Sequence, residues 1–154
     1  MMAGTQRTLV IIKPDGVQRS LVGAILERFE RRGLQIAALR LMQVPRELAE
    51  RHYGEHRGKG FFEGVVSYMS SSPVVVAVLE GPNAVAVVRT TMGATNAADA
   101  APGTIRGDLA LEIGRNLVHG SDSTESSARE IELFFRPEDL VSYERAVAPW
   151  IAAG

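Results

Sequence analysis

The chain has no cysteine among its 154 residues, which excludes disulfide staples, thiolate nucleophiles and cysteine-held metals. Lysine is nearly as scarce, since all but Lys13 and Lys59 of the 17 basic residues are arginine. Codon composition accounts for most of that bias, yet it makes each lysine worth inspecting. Charge of either sign is not in excess: the net value is −1, so no global field draws the chain to nucleic acid or anionic lipid. Long apolar runs are missing too. The longest, "VVVAVL" at residues 74–79, falls far short of the ~20 residues of a membrane span. The opening "MMAGTQRT" lacks the apolar centre of a secretion signal. These absences predict a soluble, cytoplasmic protein that needs neither membrane nor nucleic acid.

What is present is ordinary for a globular chain, with 45% apolar and 23% charged residues. The length suits a single domain, residues 1–154, able to bury ~70% of its unfolded surface. "RTLVIIK" (7–13) is β-branched and stops at Pro14-Asp15-Gly16, a strand and turn. Ser20 is a plausible cap for "LVGAILERFERRG", which aligns Val22, Ile25, Leu26 and Phe29 on one helical face before Gly33. "LQIAALRLMQV" (34–44) reads as a second strand, "RELAERHYG" and "GFFEGVVSYMS" as short helices, and residues 73–79 as a buried strand. "NAVAVVRTTMG" reads as a helix, residues 94–107 as a loop, "REIELFF" (129–135) as a fourth strand and "PEDLVSYERA" as a terminal helix. That order predicts an α/β (α+β) fold, a ferredoxin-like four-stranded antiparallel sheet covered by helices. A doubly wound parallel sheet is the rival.

Two motifs suggest chemistry and fail on inspection. "HYGEH" (52–56) fits H-x-x-E-H, a pattern of inverted zinc proteases, but Gly54 weakens the helix and only one further histidine exists to serve. Exposed surface histidines are the stronger reading. "GEHRGKG" has three residues between its first glycines and glycine after Lys59, so it is not a P-loop.

His119, in "NLVHGSDS", is different. An imidazole with a pKa of about 6.5 is mostly neutral and nucleophilic at pH 7, and so needs orientation more than activation. Glu130 could fix its tautomer, with Ser121 steadying the carboxylate. Arg89 and Arg106 carry guanidinium forks suited to phosphoryl oxygens. Thr95, Tyr53 and Asn116 add polar groups, and Lys13 a point charge at a strand end. An isolated arginine or tyrosine is more often a plain surface residue, so no single one decides.

Together they do. "IIKPDGVQRSLVG", "GFFEGVVSYMSSSPVVV", "GTIRGD" and "GRNLVHGSDS", in this order, resemble nucleoside diphosphate kinases from Thr8 to about Ile151. The resemblance implies transfer of the terminal phosphoryl group of a nucleoside triphosphate to a nucleoside diphosphate, by a ping-pong route through phosphohistidine at His119. It implies that Glu130 and Ser121 orient that ring and that Tyr53 lies beside it. Lys13 and Asn116 would meet the ribose, Lys13 also the transferring phosphate. Arg89, Thr95 and Arg106 would hold phosphates, Phe61 would stack on the base, and Ile113 would lie below it. Magnesium would ride mainly on the phosphates, with no protein metal ligands of its own. A base held by its face predicts similar turnover of purine and pyrimidine nucleotides. The tail "PWIAAG" resembles longer family forms and implies a homo-hexamer with contacts through the 94–117 loop, tetramer and dimer being the alternatives. Ala97 departs from the family, which commonly has proline there; this bears on loop stiffness and assembly. A non-catalytic RNA-binding sheet is the competing class, but strands of Val, Ile and Leu lack its paired aromatics and basic face.

Overall fold

The computed structural model describes residues 4–154. Four strands, β1 (Thr5–Ile12), β2 (Gln35–Met42), β3 (Val74–Pro82) and β4 (Val118–Gly120), form one sheet in the order β2-β3-β1-β4. Every pairing is antiparallel. Among the described residues, eight α-helical segments surround it: α1 (Pro14–Gln18), α2 (Val22–Arg32), α3 (Arg46–His52), α4 (Phe62–Met69), α5 (Ala84–Met92), α6 (Ile105–Leu109), α7 (Thr124–Phe134) and α8 (Ala148–Ile151). The ferredoxin-like α+β expectation holds.

Both faces of the sheet are buried, which is why β3 reads as an unbroken apolar run rather than an alternating one. Val10, Ile12, Val75, Ala77 and Leu79 pack with Ile25 and Phe29 of α2 and Val88 of α5. Leu9, Ile11, Val74, Val76 and Val78 pack on the opposite face with Val66 of α4 and Phe134 of α7. Period-two alternation along β1 and β3 therefore assigns successive residues to two separate cores.

Several sequence expectations change. Residues 129–135 are not the fourth strand; they complete α7. Ser123 caps that helix by accepting from the Ser126 N–H at 3.0 Å, and the buried Ser127, Glu130 and Phe134 follow helical spacing. The fourth strand is three residues long and carries His119. It is too short for a period to declare it. Pro14-Asp15-Gly16 opens α1 rather than a simple turn, with Pro14 at a first-turn position where its missing N–H costs nothing. Ser20 does not cap α2; Leu21 is the cap residue and Ser20 has φ 58°. The 94–107 loop holds a 3-10 turn (Ala97–Asp99) and leads into α6, which Thr104 caps by accepting from the Gly107 N–H at 3.0 Å. "PEDLVSYERA" forms only a 3-10 turn at Pro137–Asp139. Beyond it the chain runs alongside β2, where the Val141 N–H donates to Ala37 O and the Tyr143 hydroxyl to Ile36 O. Those bonds fall at the β2 irregularity between Ile36 and Ala38, so backbone partners there outweigh local helix propensity.

Candidate active site

A cavity of about 220 Å³ opens at the end of the sheet where β1 and β4 meet. Lys13, Tyr53, Arg89, Thr95, Arg106, Asn116, His119 and Glu130 line it. Eight residues singled out from the sequence are thus brought together from across the whole chain.

His119 projects from β4, partly exposed, and its Nε2 lies 2.9 Å from Glu130 Oε1. Glu130 comes from the middle of α7, not from a strand end, and the helix presents it side-on to the ring. Ser121 sits behind, fully buried, donating from its hydroxyl to the same carboxylate oxygen at 2.7 Å. Burial pushes the Glu130 carboxyl up, but the bond and charge of His119 and the bond from Ser121 outweigh it and hold it below its ordinary value. An ionised carboxylate only accepts, so the ring nitrogen facing it carries the proton. Nδ1 is left with its lone pair.

The cationic wall is built differently from its sequence appearance. Arg106 is buried, and its guanidinium donates to the carbonyls of Asn116 (3.2 Å), Gly93 (2.9 Å) and Val118 (2.6 Å). It therefore braces the approach to β4 while also lining the cavity, with two N–H groups not committed to those carbonyls. Burial, with the neighbouring Arg89 charge, lowers its pKa to about 10. Arg89, on α5, donates to Gly120 O at 3.3 Å. Lys13 Nζ donates to Asn116 Oδ1 at 2.8 Å, and Asn116 Nδ2 to Thr95 O at 2.8 Å, which joins three segments at one amide. Burial brings the Lys13 ammonium down to about 8, the Arg106 charge adding to the effect and Asp15 opposing it.

Phe61 and Ile113 do not line this cavity; both are exposed, at 51% and 58%. Phe61 stands at its rim, since the ring of His56, a lining residue, lies 5.2 Å from it.

His52 overturns the reading of exposed histidines. It ends α3 at 4% exposure, with its ring edge-on to His119 at 4.8 Å, Tyr53 at 4.6 Å and Phe134 at 5.5 Å. Its Nδ1 is buried without a hydrogen-bond partner. Burial, reinforced by His119, lowers its pKa to about 3, so it stays neutral at working pH. The H-x-x-E-H pairing is not assembled: His56 instead takes a contact from Lys59 Nζ at 3.1 Å. Ligand atoms of His52, His119 and Glu130 do lie within 4.8 Å of one another. The inward spacing of Ala49 and His52 on α3 was the sequence signal for this burial. Glu55 and Asp122 also line the cavity.

Comparison with known proteins gives this arrangement a context. The family model described as nucleoside diphosphate kinase matches residues 6–140. The chain belongs to the nucleoside diphosphate kinase family. It is 60% identical to a nucleoside diphosphate kinase of Thermomicrobium roseum over 146 residues, covering 95% of this chain and 98% of that one. The kinase of Carboxydothermus hydrogenoformans is 57% identical over the same shares. The solved halophilic enzyme of Halobacterium salinarum, in complex with CDP, superposes with a TM-score of 0.93 at 48% identity, over 96% of this chain and 98% of that one.

Proposed function

We propose that this chain, as one kinase unit, moves the terminal phosphoryl group of a nucleoside triphosphate onto a nucleoside diphosphate, with Nδ1 of His119 as the intermediate acceptor. The observation that carries the reading is the His119–Glu130–Ser121 relay inside a cavity lined by Lys13, Arg89 and Arg106. The Nδ1 lone pair attacks the terminal phosphorus, and the bond from phosphorus to the bridging oxygen breaks. The diphosphate departs with that electron pair. In the second half, a terminal oxygen of the incoming diphosphate attacks the same phosphorus, the P–N bond breaks and the neutral imidazole returns. Nε2–H remains on Glu130 throughout, so no proton need leave the ring. In-line phosphoryl transfer depends on positioning and charge neutralisation.

Arg89, Arg106 and Thr95 bind phosphates in this reading, and Lys13 and Asn116 bind the ribose, Lys13 reaching the transferred group as well. Tyr53 borders the reacting centre; burial first, then the Glu130 charge, raises its pKa, so it stays a neutral donor. Phe61 stacks on the base over Ile113. Magnesium, when bound with the nucleotide, supplies charge neutralisation across the phosphates. The cavity suits an ion held mainly by phosphate oxygens, since its lining offers three cations and scattered carboxylates. Glu55 and Asp122 are lining carboxylates that would be available to it. A hydrogen bond from Ser126 holds the Asp122 carboxyl below its usual value.

Assembly as a hexamer is supported by exposed apolar side chains at Leu111 and Ile113 in the 94–117 loop and at Trp150 in the tail. A mass measurement in solution separates it from tetramer and dimer. A cytoplasmic setting fits a chain without cysteine whose described helices are none of them long and apolar enough to cross a membrane.

γ-Labelled ATP tests the chemistry. Label enters the protein as an acid-labile, alkali-stable adduct and chases onto added diphosphate, and His119→Ala abolishes both steps. Retention of about a tenth of the activity in that variant means that the nucleophile is another group.

A further inference from the structure

Between Asn116 and His119 the backbone does something unusual. Leu117 has φ 75°, and the Val118 N–H donates to Asn116 O at 2.9 Å across it. This closes a three-residue γ-turn of the rare left-handed kind, strained for any side chain and more so for a bulky one. Strain of this sort persists only where the surroundings over-determine it.

The surroundings do so. Leu117 is fully buried. Its carbonyl accepts from the Lys13 N–H at 2.8 Å, and its own N–H donates to Asp15 Oδ2 at 3.0 Å. The other carboxylate oxygen of Asp15 accepts from the Tyr68 hydroxyl at 2.8 Å, while the Asp15 N–H donates back to that hydroxyl at 2.9 Å. Tyr68 is held in turn by the Arg115 guanidinium, 4.1 Å over its ring. Gly16 lets α1 come this close: a Cβ there would meet Ile12 Cγ2 at 2.6 Å and Leu117 O at 3.2 Å. On the far side of the turn Arg106 grips the carbonyls of Asn116 and Val118.

We propose that Asp15 and Tyr68 are positioning residues for phosphoryl transfer, a carboxylate–phenol clamp that keeps the turn at Leu117 closed and so aims the imidazole of His119. Neither residue lines the cavity, and neither is among the nucleotide contacts proposed above. Their effect passes through the backbone two residues ahead of the nucleophile. Were Leu117 to relax to an ordinary φ, His119 would rotate relative to Asn116, whose side chain Lys13 and Thr95 hold in place, and the alignment of Nδ1 with an incoming phosphorus would be lost. The bond to Asp15, after burial, keeps the Tyr68 hydroxyl protonated by raising its pKa to about 12, so the clamp holds across the working range.

This proposal rests on His119 as the phosphoryl acceptor, and its test separates the two. Wild type, Asp15→Ala, Asp15→Asn and Tyr68→Phe are compared in single-turnover labelling by γ-labelled ATP, in ADP affinity by calorimetry, and in direct labelling by phosphoramidate. The last reports whether the imidazole is reactive without any bound nucleotide. Asp15→Ala is expected to slow labelling by ATP on the order of ten- to a hundredfold, the cost of a misaimed group. ADP affinity and phosphoramidate labelling stay near wild type. Asp15→Asn recovers most of the rate, because its amide oxygen still accepts from the Leu117 N–H. Tyr68→Phe keeps the ring and slows labelling about threefold, a loss in kcat rather than KM; it carries the test if Asp15→Ala does not fold. Unchanged ATP labelling in Asp15→Ala and Tyr68→Phe overturns the clamp alone. So does an equal loss in all three readouts, which would mark general unfolding of the site. A wild-type chain that takes no label on His119 overturns both readings.

Discussion

Glu130 Oε1 lies 2.9 Å from Nε2 of His119 and 2.7 Å from the Ser121 hydroxyl. One carboxylate oxygen thus fixes both the tautomer and the plane of the ring, and leaves Nδ1 as the free nitrogen. Phosphorus NMR of the labelled protein should report the Nδ1 adduct. Glu130→Gln keeps an acceptor of the same size but introduces a competing amide donor and removes the charge. Its kcat should fall about tenfold with nucleotide affinity nearly unchanged, since orientation is the part lost. A fall in affinity at unchanged rate would make Glu130 a binding residue instead.

Lys13 gives the site a pH dependence with a definite sign. Its ammonium titrates at about 8 in the folded chain against 10.5 ordinarily, burial being the main cause. Free enzyme therefore loses this charge as pH rises through about 8, and kcat/KM for the triphosphate should fall there. Bound phosphate favours the charged form, so kcat should hold to higher pH. Stability moves the opposite way. Between pH 8 and 10.5 the unfolded chain holds more protons at this site, so Lys13 makes the fold more stable as pH rises. Lys13→Met should remove both effects, read by pH–rate profiles and by melting without nucleotide.

How much of this was legible beforehand depends on the length over which each signal repeats. The β-branched run of β1 and the continuous apolar run of β3 extend over many residues and declared themselves. β4 has three residues, and no periodicity can announce it. Residues 129–135 offered a β-like composition, and their helical state is set by a cap at Ser123 that lies upstream of that window. For the site, the types and order of the polar residues sufficed to gather Lys13, Arg89, Arg106 and His119. Partners were not legible. Arg106 seemed wholly a phosphate ligand, yet three of its N–H groups hold backbone carbonyls. His52 seemed exposed because its zinc motif failed and Gly54 weakened its helix, whereas the rings packed on it from afar are those of His119 and Phe134, contacts made by the tertiary fold.

His52 should make the fold acid-sensitive. Its folded pKa of about 3 lies below the ordinary 6.5, chiefly through burial. As pH falls from 6.5 towards 3, the unfolded chain takes up a proton that the native chain refuses, so native stability drops across that window. His52→Phe removes the proton site and the buried unpaired Nδ1 together. The melting temperature of this variant should vary less with pH between 6.5 and 4 than that of wild type. An equally steep acid decline would place the sensitivity on other groups.

Ala97 lies in a position ready for proline. It is the first residue of a 3-10 turn, and Asn96 before it has the extended conformation that a following proline requires (φ −81°, ψ 110°). Its N–H makes no hydrogen bond among the described residues. Ala97→Pro should stabilise by about 0.4–1 kcal/mol through the unfolded state, a rise in Tm of roughly 1–4 °C for a chain of this size. Catalytic rate should stay within about twofold, because the residue does not line the cavity. A lowered Tm would mean that the buried side of Ala97 has no room for the ring.

In the proposed reading, Phe61 governs base selectivity. The ring is half exposed, tilted 58° to His56 at 5.2 Å, with Lys59 Nζ 5.8 Å from its centre. A planar base can lie on its open face, and Ile113, proposed to lie below the base, has no group to read a base edge. Stacking is worth about 1–3 kcal/mol for any base, whereas strong discrimination needs buried hydrogen bonds that go unpaired in the wrong complex. Purine and pyrimidine diphosphates should therefore give kcat/KM values within about tenfold of one another. Phe61→Ala should raise KM for all of them together, by about fivefold or more, with kcat little changed. A hundredfold preference for one base, or a Phe61→Ala effect confined to one, would require a base-edge contact from another residue.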